Sequence, residues 1–281
     1  MYNHFINQCW AIYPHAMTAV FEAVKRCHAG PVGDASRAGI PVSKQGKTAV
    51  ISMKGPMIKE AGVWSYYGFA GTRDTANALR AAAADDDIED VLWVIDSPGG
   101  SVDGLVELAD TVQAVKQVKP IIAQVDGMMA SAALYAAAGA TEIYAGKRDL
   151  IGSIGTRIML YDFSEMFSNE GVKAIPIDTG EHKSAGAMGT EITEEQQAEF
   201  QRIVDGYFSD FMATLQNGRG ISQKELKPLA DGRVFFAEEE PLEAGLIDGI
   251  QSLEQTLSTI IQTKQSNRKT KAEAALRMLS L

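Results

Sequence analysis

The sequence predicts an α/β protein built on a parallel sheet with crossover helices. Short β-branched runs alternate with helical patterns from Thr48 to about residue 250, and two of the strand runs, VLWVI and IIAQV, are almost continuously apolar. Strands of that kind have both faces covered, as in a parallel sheet flanked by helices. Between these two runs Val102, Leu105, Ala109, Val112 and Val115 recur every three or four residues, which makes one apolar stripe suited to lie on the sheet.

Taken in order, residues 1 to about 28 read as a helical arm, with Ile12, Met17, Val20 and Val24 near helical spacing and Pro14 near its start. The stretch Ala29 to Gly46 is rich in Gly, Pro and Ser and reads as a linker. Strands are expected at Thr48–Met53, Val91–Asp96, Pro120–Val125, Glu142–Ala145, Arg157–Leu160 and Val172–Ile177. Helices are expected at Asp74–Ala84, Asp103–Val118, Ala132–Ala138 and Phe163–Glu170. A longer helix starts from about Thr193, which can cap it with Gln196 three residues on, and ends near Asn217-Gly218. Its apolar face is Phe200, Ile203, Tyr207, Phe211 and Leu215. From Gln265 the chain turns polar and basic, then Ala/Leu-rich, the composition of a tail or a partner-docking helix. The expected organisation is an arm and linker over 1–46, one α/β domain over 47–252, and a C-terminal helix or tail over 253–281.

Composition narrows the function. With 281 residues, 46 % hydrophobic and 22 % charged, the chain is an ordinary globular protein with a sizeable core. Its net charge of −10 argues against nucleic-acid binding, which needs clustered Lys and Arg; Lys264, Arg268, Lys269 and Lys271 are the one basic cluster. Cys9 and Cys27 have no metal-ligand or disulfide-framework spacing, so no metal is expected and a reducing compartment is the simplest reading. No run reaches the roughly 18 apolar residues of a membrane span. The start lacks a basic leader region, so the expectation is a cytoplasmic protein without a membrane anchor.

Four segments could carry chemistry. Asp96-Ser97-Pro98-Gly99-Gly100-Ser101 lies where a strand ends and a helix is expected to open. Paired glycines there can turn backbone N–H groups outward beside a helix N-terminus, an oxyanion site. The same residues also read as a plain tight turn. Ser131, in GMMASAA, falls at the start of an Ala-rich helix at the sheet's carboxyl edge, accessible enough for a nucleophile, although a serine there is more commonly a cap. Ser153 lies in IGSIG, which alone reads as a turn. His4, His15 and His28 precede the core, leaving His182 as the one histidine within it. Its neighbour Lys183 is the alternative base, because a desolvated lysine loses its proton readily.

Together the segments DSPGGSVDG, GMMASAALYAAAGATEIYA, LIGSIGTRIMLYDF and IDTGEHKSAG, followed by an ITEEQ helix, resemble the S49 peptidase family over about Thr48 to Asp248. Signal peptide peptidase A and the phage capsid-assembly proteases belong to that family. The resemblance implies a ClpP/crotonase-like fold and a Ser-Lys dyad with Ser131 as nucleophile, Lys183 as base and Ser153 holding the lysine. It also implies that the backbone of Gly99 or Gly100, and of Ala132, forms the oxyanion hole. No cofactor is implied. The AIYPHAMTAVFEAV arm, the GP-rich linker and the segment Met57–Thr72, with Trp64, Tyr66, Tyr67 and Phe69, look more like the phage type. Its substrates would be scaffold, capsid or portal protein during head maturation, in the host cytoplasm or prohead. That aromatic segment could line the cleft or pack against another subunit. Assembly as a homo-oligomer is expected, with Ser131 and Lys183 paired either within one chain or between neighbours. Alternatives are a soluble protease degrading peptides, a crotonase-type acyl-CoA enzyme, and a catalytically silent assembly factor.

Overall fold

The computed structural model describes residues 9–28, 40–264 and 266. The linker stretch 29–39 and the basic residues Arg268, Lys269 and Lys271 lie outside them. The main sheet is built as the apolar runs require. β3 (Thr48–Lys54), β6 (Asp90–Ser97) and β8 (Ile121–Ala130) are parallel neighbours, with Trp93 facing Ile51 on one side and Ala123 on the other. The short β2 (Val42–Gln45) closes one edge antiparallel to β3. The ten-residue β8 forks: residues 122–124 pair with β9 (Glu142–Ala145), and residues 128–130 pair with β10 (Leu150–Gly152). β12 (Val234–Phe236) then adds antiparallel to β10, and β13 (Gly249–Ile250) parallel to β9.

The crossover helices are α2 (Thr72–Ala84), α3 (Leu105–Lys116) and α4 (Ala132–Ala137). Of the predicted stripe, Leu105, Val112 and Val115 enter the main core with Met53, Trp93 and Met129, while Val102 and Ala109 pack half-buried against it; Leu108, which the stripe did not include, is buried beside them. The fold is α/β with parallel strands and covering helices, as expected. The second face carries Leu92, Val94 and Ile122, covered by Leu253, Leu257 and Ile260 from a helix over residues 253–264.

A second, five-stranded sheet crosses the carboxyl ends of the main strands, in the order β11-β1-β7-β4-β5. The main strands feed it: β4 (Met57–Ile58) and β5 (Ala70–Gly71) follow β3, β7 (Gly99–Ser101) follows β6, and β11 (Arg157–Ile158) follows β10. Its remaining member, β1 (Cys9–Ile12), comes from the N-terminal arm.

Four sequence expectations change here. The stretch Ala29 to Gly46 is not linker throughout, because Val42–Gln45 pairs with β3 as the edge strand β2. The arm is not helical throughout, because Cys9–Ile12 is a strand and the helix α1 spans Ala16–His28. Trp10, Ile12, Val20 and Val24 still share one apolar cluster, with Ile58 and Phe69, so the spacing was real but strand and helix together satisfy it. The run Val172–Ile177 is not a strand; it is exposed coil, with Ile177 95 % accessible, and pairs with no strand among the described residues. The turn at Gly99-Gly100 leads into β7 rather than directly into a helix, and α3 opens only at Leu105. The long helix α6 (Glu194–Arg219), which follows the short α5 (Ser164–Asn169), starts as predicted: the Thr193 hydroxyl accepts from the Gln196 amide at 3.3 Å.

Candidate active site

β8 and β10 run side by side and in parallel, pairing Ala130 with Gly152, so the residues that follow them, Ser131 and Ser153, emerge next to one another. Among the described residues, these two serines are the non-glycine residues with positive φ, at 53° and 51°. Such a backbone conformation costs a residue with a Cβ about 1–3 kcal/mol and persists only where the surroundings enforce it. Here they do. The Ser131 amide donates to the Gly152 carbonyl at 2.8 Å, and the Ser153 amide to the Arg233 carbonyl at 2.5 Å. Ser131 caps α4 with ψ −116°, a sharp strand-to-helix turn of the kind that presents a nucleophilic serine. Its hydroxyl donates only a long 3.4 Å bond, to the Gly155 carbonyl.

α4 is anchored from behind. The Tyr135 hydroxyl donates to Asp210 of α6 at 2.6 Å, and burial together with that carboxylate pushes the phenol's pKa up to about 12. The strand leading to Ser131 is braced at its midpoint, where the Asp149 carboxylate accepts from the amides of Gly127 (3.1 Å) and Gly146 (2.6 Å). Lys54 donates to Asp126 at 2.7 Å. Burial raises the pKa of both Asp96 and Asp149.

The Ser97-Pro98-Gly99-Gly100 turn lies against these elements. Ser97 Oγ donates to the Gly55 carbonyl at 2.7 Å and accepts from the Gly99 amide at 3.2 Å, so the Gly99 N–H is engaged. Gly99 has φ +93°, and a Cβ there would stand 2.9 Å from both the Ala130 oxygen and the Ala132 nitrogen. A Cβ on Gly100 would stand 2.0 Å from the Met57 oxygen. Glycine is therefore required at both positions by close backbone approach. Gly99, Gly100, Ser131, Ala132 and Ser153 thus form one constellation at the carboxyl end of the sheet.

The family model for peptidase family S49 matches residues 113–267, more than half of the sequence. The chain belongs to peptidase family S49. Relatives of this S49 chain include a putative protease of Methanocaldococcus jannaschii, 30 % identical over 66 % of this chain and 60 % of the relative. The head-tail preconnector protein of Enterobacteria phage P21 is 26 % identical over 78 % of this chain and 44 % of the relative. The capsid assembly protease of Escherichia phage lambda is 25 % identical over 71 % of this chain and 45 % of the relative. The S49 chain thus spans between 44 and 60 % of the length of these relatives.

Lys183 is placed differently from the serines. It lies on an exposed turn between α5 and α6, its amide bonded to the Gly180 carbonyl at 3.0 Å, and within one copy of this S49 chain no hydrogen bond joins its side chain to Ser131 or Ser153. Ser131, expected to be accessible, is only 1 % exposed, and so is the neighbouring Ala11 of β1. Sequence reasoning missed the carbonyls of Gly152 and Arg233 that hold the two serines, since a backbone acceptor leaves no residue signature. Among the described residues no group of three or more His, Cys, Asp or Glu is placed to hold a metal ion, and no helix is long and apolar enough to cross a membrane.

Proposed function

We propose that this chain is a serine endopeptidase that hydrolyses peptide bonds through an acyl-enzyme on Ser131, with Lys183 as general base. The observation that carries the reading is the strained pair of serines beside the Gly99-Gly100 backbone. Strain of this kind is held at sites of chemistry, and the S49 motifs fall on the same residues. Neutral Lys183 takes the Ser131 hydroxyl proton as Oγ attacks the scissile carbonyl, and Ser153 orients the ammonium that forms. The amides of Gly100 and Ala132 receive the developing oxyanion, each such donor being worth about 3 kcal/mol. The protonated lysine then gives its proton to the leaving amine, and water hydrolyses the ester.

The exposed turn that holds Lys183 is flanked by exposed Ile175, Ile177 and Met188. In our reading a second copy covers this apolar surface in a homo-oligomer, which delivers Lys183 to the Ser131 of its neighbour. Substrates are proteins, and the phage relatives favour scaffold, capsid or portal protein during head maturation.

The test is mass spectrometry of a peptide and unfolded-protein mixture incubated with the chain, with Ser131→Ala and Lys183→Ala alongside. Cleavage by the unmodified chain alone, lost in both variants, supports the dyad. Activity regained on mixing the two inactive variants supports pairing between copies. Cleavage that survives either substitution refutes the assignment.

A further inference from the structure

β1 is the middle strand of a β11-β1-β7 triplet and runs antiparallel to both neighbours, pairing Cys9 with Ile158 and Trp10 with both Arg157 and Ser101. Without it, β7 and β11 would face each other as two open edges. Such a gap accepts an extended polypeptide, whose main chain supplies the missing hydrogen bonds.

The register sets this strand over the candidate active site. The Val102 amide donates to the Cys9 carbonyl at 3.3 Å, and the Tyr13 amide to the Pro98 carbonyl at 2.7 Å. On an antiparallel ladder these two bonds frame Ala11 and Gly100 as a hydrogen-bonded pair, so the Gly100 N–H faces the Ala11 carbonyl. The point where a Cβ on Gly99 would stand is 2.3 Å from that same Ala11 oxygen and 2.9 Å from the Ala132 nitrogen. The Ala11 carbonyl therefore lies among the very amides assigned above to the oxyanion.

We infer that Cys9–Ile12 is a ligand the chain supplies to its own peptide groove: it occupies the place of an extended protein substrate, with Ala11 at the attacked position, and must leave before a substrate enters. The inference rests on the protease reading above. The packing permits such an exit. Trp10 and Ile12 belong with Val20, Val24, Ile58 and Phe69 to a small cluster separate from the main core, and of β1 only Ala11 reaches into that core. Trp10 and Ile12 also line a surface pocket with Ser153, Gly155, Val204 and Phe208, a pocket that displacement of the strand would open further. The occupant sketches the substrate as well. The residue at the attacked carbonyl is small, because the side chain at that position is fully buried, and its two neighbours are large and apolar.

The experiment uses the full chain carrying Ser131→Ala, so that binding is read without turnover, and a fluorescein-labelled peptide of residues 7–15. Adding Trp10→Ala and Ile12→Ala loosens β1 and leaves the groove intact. Apparent affinity for the peptide is expected to tighten at least about tenfold, since the occupied fraction of the groove no longer competes. Equal affinity in the two proteins, or binding by neither, overturns the inference. Because the double substitution also removes packing, hydrogen exchange on the Ser131→Ala chain alone gives an independent reading. With saturating peptide, amides 10–13 should lose protection while those of Gly100 and Val102 keep theirs; unchanged protection over 10–13 makes β1 a fixed strand and overturns the inference. If the peptide displaces β1 but the unmodified chain cleaves nothing, the protease reading fails and the groove assignment stands.

Discussion

Replacing Ser131 by glycine should stabilise the protein while abolishing its proposed activity, and the size of the effect follows from the backbone. Ser131 holds φ 53° and ψ −116°, a conformation that glycine adopts freely and that costs a residue with a Cβ about 1–3 kcal/mol. The comparison that isolates this cost is Ser131→Gly against Ser131→Ala, because both lose the hydroxyl and its one long bond to the Gly155 carbonyl. At an ordinary position alanine would be the more stable by about 0.5–1 kcal/mol, through the extra chain freedom glycine loses on folding. At Ser131 the order should reverse, with the glycine variant ahead by roughly 1 kcal/mol once that entropy is subtracted. For a domain of this size the difference is a rise in Tm of roughly 2–4 °C. Equilibrium urea denaturation gives the free-energy difference, thermal melts give the Tm, and a peptide-cleavage assay confirms that both variants are inactive. An alanine variant as stable as the glycine variant, or more so, would refute the claim that the fold holds this residue under strain.

Gly99→Ala should lower kcat/KM by about 10²-fold or more and also lower Tm, because even with β1 displaced its Cβ meets the backbone of Ala130 and Ala132, at 2.9 Å each, in the sheet and the helix it leads into; wild-type turnover in this variant would contradict the geometry. Asp96 has its pKa raised, chiefly by burial, so the folded state takes up this proton before the unfolded state does, and the ionised carboxylate costs stability at neutral pH. Asp96→Asn should therefore melt higher than the unmodified chain at pH 7, with the gap closing as pH falls through the raised pKa; a gap that does not depend on pH would count against this. Lys264 Nζ lies 2.7 Å from Asp90 Oδ2 and 2.9 Å from Thr48 Oγ1 in a mostly buried pair, and Asp90 Oδ1 has no partner. Lys264→Met should cost about 1–3 kcal/mol in urea denaturation. Adding Asp90→Asn should recover part of that loss, and a simple sum of two losses would argue that the pair is not coupled.

The strands β3, β6, β8 and β9 and the helices that cover them were legible because their side chains must satisfy one periodicity each; β2, β10, β12 and β13, of two to four residues, are too short to show one. Apolar runs such as VLWVI can only be buried on both faces, and the stripe from Leu105 to Val115 can only lie on a sheet. Ser131, Ser153 and the paired glycines were singled out by the resemblance to the S49 motifs, since taken alone each segment reads as a cap or a turn. What the sequence alone could not settle is non-local. Ile12 stands at a spacing that suits a helix, yet the open edges of β7 and β11, roughly 90 and 145 residues further along the chain, make the CWAI run a strand. The Val172–Ile177 run has strand composition but pairs with no strand among the described residues, and stays coil. The strain at the two serines is invisible in composition, because it is imposed by the carbonyls of Gly152 and Arg233, which any residue could have supplied. The sequence by itself determined the central strands of the main sheet and the helices that cover them. Only the tertiary structure decided what lies over the sheet's carboxyl edge, because a backbone hydrogen bond between strands depends on which edges meet and hardly at all on the side chains that stand there.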